Sequence, residues 1–355
     1  MNYQTPEITV DTDDWAIRSA YWNTKTQLEI PKRKRREKAK TGLVLTGHGL
    51  SIRVDKGRLI IKDGFTHYPQ KQMTKIYFKG ALDIPPRIVL VDGKGSITLD
   101  ALDWLSEQKV DLIRLRYDGR IQSISSANGY SADPKKVAWQ HKTRGSELER
   151  VKYAIPLIKS KIRETLFNLE KLLPESQSRL NAIEKAKAAL KTLTKKPPES
   201  VSKLLAFEGI VAQGYFFAWR ALDMKWSAQN RHPIPDEWRK FLSRSSLNSH
   251  PKSPANKHAT SPINAMLNYT YSMLESRVRI QAIADGYDPS VGVMHDRVSP
   301  DRHSFVFDQM EPLRPIVDRV VLKMIESETF SGGDFELQSD GVCRLNPELA
   351  RRLCV

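Results

Sequence analysis

Two cysteines, Cys343 and Cys354, stand in a chain of 355 residues, and two thiols cannot build a tetrahedral zinc site or a disulfide framework. Any metal must therefore be held by oxygen and nitrogen. Long apolar runs are missing too, since nothing approaches the roughly 18 uninterrupted apolar residues of a membrane-spanning helix. The N-terminus carries Glu7, Asp11, Asp13 and Asp14 where a signal peptide would carry bases. A cytoplasmic protein with no membrane association is the expectation. Hydrophobic residues make up 40% and charged ones 28%, ordinary globular values that exclude global disorder and fibrous repeats. Acid is in deficit, with 57 Lys and Arg against 41 Asp and Glu and a net charge of +16. Such an excess attracts polyanions, nucleic acid first among them.

The pattern along the chain predicts an α+β protein, a small N-terminal antiparallel β domain followed by a larger all-helical domain. Residues 1–41 form an N-terminal extension, acidic and Thr-rich at first and ending in the basic cluster Lys32 to Arg36. Over 42–125 the apolar period is two or near-continuous, as in Leu43-Val-Leu45, Leu50-Ser-Ile-Arg-Val54 and Arg87-Ile-Val-Leu-Val91, which predicts strands. Gly47-His-Gly49, Asp55-Lys-Gly57 and Asp92-Gly-Lys-Gly95 carry turn chemistry between them. Gly47-His-Gly49 lacks the Lys-Ser/Thr and the following helix of a phosphate loop. Residues 126–145 are polar and predict a linker running into a helix. Over 146–330 the period becomes 3.6, with Val151, Ala154, Ile158, Ile162, Leu166 and Leu169 on one face and Leu180, Ile183, Ala186, Leu190 and Leu193 on another, a helical hairpin. Residues 331–355 are a tail.

Three places in the helical part set metal-capable side chains among apolar ones. Glu208 shares a helical stripe with Ala212, Tyr215 and Trp219, where an unpaired carboxylate is costly. His295 ends a turn and a short extended run that starts at Gly286. Asp308 and Glu311 follow the strand-like triplet Phe305-Val-Phe307 and precede a helix. Singly, each has an ordinary reading: a carboxylate at a stripe edge, a hydrogen-bonded histidine, and a capping box with Pro312 in the first turn. Together, carboxylates and an imidazole without thiolate suit Mg²⁺ or Mn²⁺, whose open positions accept water and phosphate oxygen.

Four segments then carry a specific resemblance: Glu208-Gly209 in its helix, Ser261-Pro-Ile-Asn264-Ala-Met-Leu-Asn-Tyr269, Asp288-Pro-Ser-Val-Gly-Val-Met-His295, and Phe307-Asp308-Gln-Met-Glu311-Pro-Leu-Arg314-Pro315. In this order, across about residues 42–345, the chain resembles the CRISPR-associated adaptation endonuclease/integrase family, the first-numbered Cas proteins. The resemblance implies a metal-dependent DNA endonuclease and integrase that inserts short foreign DNA into a repeat array through attack of a DNA 3′-hydroxyl on a phosphodiester. It implies Glu208, His295 and Asp308 as metal ligands, Glu311 as a further catalytic acid, and Mg²⁺ or Mn²⁺ as the cofactor. Asn264 matches the motif's asparagine, and Asn264, Arg297, Arg302 and Arg314 are the candidate DNA contacts. Implied partners are double-stranded DNA, a second copy of the chain in a homodimer, and a small CRISPR-associated adaptation protein. Three departures stand out: the extension, a longer segment between Trp219 and Ser261 with its insertion at 223–260, and Ser261 at the first position of its motif. The alternatives are a transposon-borne integrase or stand-alone nuclease with the same catalytic domain, and a DNA-binding protein without chemistry.

Overall fold

The computed structural model describes residues 15–28, 38–66, 73–127, 132–244, 259–295, 303–339 and 341–354. The chain divides into two units, residues 1–38 and 39–355. The first holds helix α1 (Trp15–Leu28), in a stretch free of glycine and proline. The extension thus contains regular structure that the sequence reading did not assign. The rings of Tyr21 and Trp22 meet edge-on at 5.6 Å, and the Lys25 ammonium lies 4.9 Å from the Trp22 ring. The cluster Lys32 to Arg36 lies outside the described residues.

The second unit opens with a six-stranded sheet of β1 (Leu43–Asp55), β2 (Arg58–Lys62), β3 (Thr74–Tyr77), β4 (Arg87–Ile97), β5 (Asp111–Leu115) and β6 (Ile121–Ser125), ordered β3-β2-β1-β4-β5-β6. It is mixed, which corrects the expected antiparallel sheet: β1 pairs with β4 and β4 with β5 in parallel. The cause lies in the connections. Helix α2 (Leu99–Glu107) buries Ala101, Trp104 and Leu105 and carries the chain back to start β5 alongside β4, as a parallel pair requires. Gly47-His-Gly49 and Asp92-Gly-Lys-Gly95, expected as turns between strands, instead lie inside the single strands β1 and β4. Register shifts flank His48 within β1, and Gly47 and Gly49 take φ values of +86° and +78° there, the bulge geometry that glycine permits. Lys56 and Gly57 do form the expected turn, both with positive φ, between the antiparallel β1 and β2.

The expected linker at 126–145 contains helix α3 (Pro134–Arg144), capped by Asp133. The predicted hairpin follows as α4 (Glu147–Lys171) and α5 (Gln177–Lys195), joined by α6 (Val201–Ala218). Ser146, Ser176 and Ser200 cap the three helices through their hydroxyls. Helix α7 (Pro262–Ala284) precedes α8 (Ser304–Met310), α9 (Arg314–Ser327) and α10 (Pro347–Leu353). The Phe305-Val-Phe307 triplet is helical and not strand-like, because a short apolar run carries no period of its own.

This half is not all-helical. A parallel pair joins β7 (Lys225–Ser227) to β8 (Thr329–Ser331), and an antiparallel pair joins β9 (Phe335–Leu337) to β10 (Cys343–Leu345). Nor is 331–355 a loose tail. Leu349, Ala350 and Leu353 of α10 are buried in one core with Val44, Val89, Ile113 and Leu115 of the sheet and Trp219 and Tyr269 of the helices, each leucine contributing about 2 kcal/mol. Arg351 donates to Asp63 at 2.6 Å and to the Thr46 hydroxyl at 3.0 Å. Sheet and helices therefore share a core across the boundary drawn from sequence. Among the described residues no helix is long and apolar enough to cross a membrane.

Candidate metal and nucleic-acid site

Asp308 lies in the middle of α8, fully buried, and does not act as a cap. Its Oδ2 accepts from the backbone N–H groups of Val293 at 2.7 Å and Met294 at 2.9 Å. Its Oδ1 accepts from the His295 N–H at 2.9 Å and faces His295 Nδ1 at 2.7 Å. Both oxygens are thus engaged by the loop that carries the histidine, and His295 Nε2 is left as the ring nitrogen for a ligand. The loop is held from its other side as well. Arg150 donates to the carbonyls of Val293 and Met294, and Met294 is buried with Ile158, Ile162 and Val211. Gly292 is needed for this packing, since a Cβ there would fall 2.3 Å from the His295 carbonyl oxygen and 2.5 Å from Ser304 Cβ.

The two glutamates meet at a residue of α4. The Lys161 ammonium donates to Glu208 Oε1 and to Glu311 Oε2, while Arg314 Nε donates to Glu311 Oε1 at 3.1 Å. These side chains are largely withdrawn from water, with 15% of Lys161, 16% of Glu208 and 9% of Glu311 exposed. Burial favours the neutral form of Glu311, but the charges of Arg314 and Lys161 outweigh it and hold the carboxyl down at about 2. For Lys161, burial favours loss of the proton and the facing Glu311 and Glu208 reverse that, so its pKa is raised. Among the described residues no three carboxylate, imidazole or thiolate groups gather closely enough to hold one metal ion. Glu208 and Glu311 are joined through a cation of the chain itself. Two carboxylates turned to one positive charge, with His295 close enough to Glu311 to act on its charge, offer the hard oxygen and nitrogen donors that Mg²⁺ or Mn²⁺ takes.

A second layer surrounds this group. The guanidinium groups of Arg244 and Arg314 each lie 5.3 Å from the ring centroid of Tyr271, whose hydroxyl donates to Asp318 Oδ1 at 2.6 Å. Burial pushes the Asp318 carboxyl up to about 6, against the hydrogen bonds from Tyr271 and Tyr215. Asn168 ties α4 to α6 and α9, donating to the Tyr215 hydroxyl and the Pro315 carbonyl and accepting from Arg319.

The structure brings His295 to Asp308 and Glu208 to Glu311. The candidate DNA contact Asn264 is 4% exposed and turned inward, donating to the Ser243 carbonyl at 2.9 Å and accepting from Arg244 at 3.3 Å. Arg314 is half-buried on Glu311. Arg297 and Arg302 lie outside the described residues. Sequence reasoning missed Lys161, Asn168, Arg244, Tyr271 and Asp318. A signal for the first two existed, because Lys161, Thr165 and Asn168 follow one another at i, i+4 and i+7 beside the apolar stripe of α4, and Thr165 and Asn168 are buried.

The family model described as CRISPR associated protein Cas1 matches residues 43–355. CRISPR-associated endonuclease Cas1 1 of Archaeoglobus fulgidus is 30% identical over 324 residues, 88% of this chain and 85% of the relative. Among solved structures, a casposase bound to integration product is similar with a TM-score of 0.67 and 24% identity, covering 88% of this chain and 80% of that one. A chain of a Cas6-RT-Cas1–Cas2 complex has a TM-score of 0.62 and 21% identity, covering 91% of this chain and 32% of the other. These two likenesses show a shared fold.

Proposed function

Because this chain belongs to the Cas1 family, we propose that it is a metal-dependent DNA endonuclease and integrase of CRISPR adaptation, with Glu208, His295 and Glu311 as metal ligands. The observation that carries this reading is the pairing of Glu208 and Glu311 around one cation, with His295, whose Nδ1 is engaged by Asp308, acting electrostatically on Glu311. Asp308 is the orienting group, with both oxygens occupied by the 293–295 loop. This exchanges the roles that the resemblance implied for Asp308 and Glu311.

When bound, the ion supplies Lewis acidity at a phosphodiester and lowers the pKa of the attacking hydroxyl. The chain's own groups do the rest. Contact with Asp308 favours the tautomer with its proton on Nδ1, keeping the Nε2 lone pair for the ion. Arg314 adds positive charge beside Glu311 and favours the approach of a phosphate. A DNA 3′-hydroxyl gives up its proton as it attacks phosphorus, a new P–O bond forms, the scissile P–O bond breaks, and the departing oxygen takes up a proton, so that the proton count is unchanged. Water in place of the hydroxyl gives a nick.

Duplex DNA as partner is supported by the net charge of +16 and by the casposase relative bound to its integration product. A small CRISPR-associated partner is supported by the Cas1–Cas2 assembly to which the other similar structure belongs, and a homodimer is what the family resemblance implies. The test is joining of a 3′-hydroxyl DNA donor to a supercoiled plasmid in Mn²⁺, in Mg²⁺ and in excess chelator. Joining should occur with either ion, stop in chelator, and be lost in Glu208→Gln, His295→Ala and Glu311→Gln. Joining that persists in chelator would remove the metal mechanism.

A further inference from the structure

Lys161 belongs to none of the four segments that mark the family, yet its ammonium bridges Glu208 and Glu311. With Arg314 on the far oxygen of Glu311, the group carries two negative and two positive charges and is neutral. The carboxylate oxygens that face Lys161 are those a divalent ion would take, and a second cation cannot share them at contact distance without strong repulsion. Entry of the ion must therefore move the ammonium away. The two cations differ in how freely they can move. The Arg314 guanidinium is held by Glu311 on one side and by the Tyr271 ring on the other, whereas Lys161 has a flexible four-carbon stem. A loaded site would carry an excess of two positive charges in a region with little access to water, which only an anion such as a phosphodiester offsets well.

Resting on the metal-site reading above, we infer that Lys161 reserves the metal position in the metal-free protein, and that ion binding releases its ammonium to the scissile phosphate. In the first state it keeps Glu208 and Glu311 paired and prevents their mutual repulsion. In the second it donates to a non-bridging phosphate oxygen and stabilises the charge that grows there as the new P–O bond forms.

The test separates this role from a merely structural one, because it predicts opposite changes in two readouts. In calorimetric titration of the full, chelator-stripped chain, Lys161→Met should bind Mn²⁺ about tenfold more tightly than wild type, since no ammonium has to be displaced. Lys161→Arg, which keeps the charge, should bind like wild type. At saturating Mn²⁺, joining by Lys161→Met should nevertheless be slower by roughly 100-fold. In the wild type, amine-reactive labelling of Lys161 followed by mass spectrometry should increase severalfold when Mn²⁺ is added, a measurement that needs no variant to fold. Equal or weaker Mn²⁺ affinity in Lys161→Met, or unchanged labelling in the wild type, would overturn the inference. If Mn²⁺ binds with wild-type affinity to Glu208→Gln and Glu311→Gln, the metal-site reading itself fails, and the inference with it.

Discussion

The carboxylate of Asp308 holds His295 twice, accepting from its backbone N–H at 2.9 Å and meeting its Nδ1 at 2.7 Å. One buried acid thus fixes both the position of the loop and the face of the ring it presents. A group engaged in this way serves orientation better than metal binding, whereas Glu311 faces Lys161 with an oxygen that an ion could take over.

Asp308→Asn should therefore act mainly on stability. Asparagine keeps one acceptor oxygen and brings two N–H donors to a place already full of donors, so at least one buried backbone N–H loses its partner. A loss of about 2–4 kcal/mol is expected from the broken charged hydrogen bonds, read by denaturant unfolding of the metal-free protein. Glu311→Gln should change stability less and weaken Mn²⁺ binding more. An Asp308→Asn protein with unaltered stability but no Mn²⁺ binding would return Asp308 to the ligand set.

Acid should weaken the fold through Glu311. Its folded pKa of about 2 lies below the ordinary 4.5, so the unfolded chain takes up this proton first as pH falls. The stabilisation is whole above pH 4.5 and disappears as pH drops through the folded value, amounting to at most about 3 kcal/mol. Urea unfolding of the metal-free protein between pH 6 and pH 3 should show this decline, and Glu311→Gln should flatten it. Identical slopes for the two proteins would mean that Arg314 and Lys161 do not hold the ionised form.

Much of this was legible in the sequence. Leu43–Leu45, Leu50–Val54 and Arg87–Val91 are strands because short apolar runs, alternating in Leu50–Val54 and continuous in the other two, need a sheet to bury them. The α4–α5 hairpin follows from its stripes and serine caps. Strand direction was legible only in part: the continuous apolar runs Leu43–Leu45 and Ile88–Val91 mark strands covered on both faces, as parallel strands are, but which strands pair is decided by connections such as the α2 crossover between β4 and β5. The segments around Glu208, His295, Asp308 and Glu311 could be marked from sequence, but not the division of labour among them. That depends on which oxygen meets which N–H, and α8, α4 and the 293–295 loop come together only in three dimensions. Lys161 does not stand out in the sequence, because a lysine beside an apolar stripe is ordinarily a solvated edge.

Gly292→Ala should disable the site without changing any of its polar side chains. The added methyl would sit 2.3 Å from the His295 carbonyl oxygen and 2.5 Å from Ser304 Cβ, so either the 293–295 loop or the start of α8 must shift. Both ends of the Asp308 interaction move with them. Thermal unfolding should fall by several degrees, consistent with a change of about 1–3 kcal/mol, and Mn²⁺ affinity should drop. A variant with normal melting and normal metal binding would show that the loop tolerates a path other than the one seen.

DNA affinity and chemistry should separate. Attraction of a chain with a net charge of +16 to duplex DNA comes from many basic side chains, so removal of one buried carboxylate changes little of it. Glu311→Gln should bind a duplex within about twofold of wild type while joining none. For both proteins the logarithm of affinity should fall linearly with the logarithm of salt, by roughly 0.9 for each phosphate neutralised, as read by fluorescence anisotropy from low to physiological ionic strength. Asn264→Ala offers a contrast, because its amide is buried against Ser243 and Arg244. Its effect should appear first in melting temperature, with the salt slope unchanged. A salt slope near zero would show that DNA is held by contacts other than phosphate pairing, and weaker duplex binding at every salt concentration by an Asn264→Ala protein of normal melting temperature would place that residue on the DNA after all.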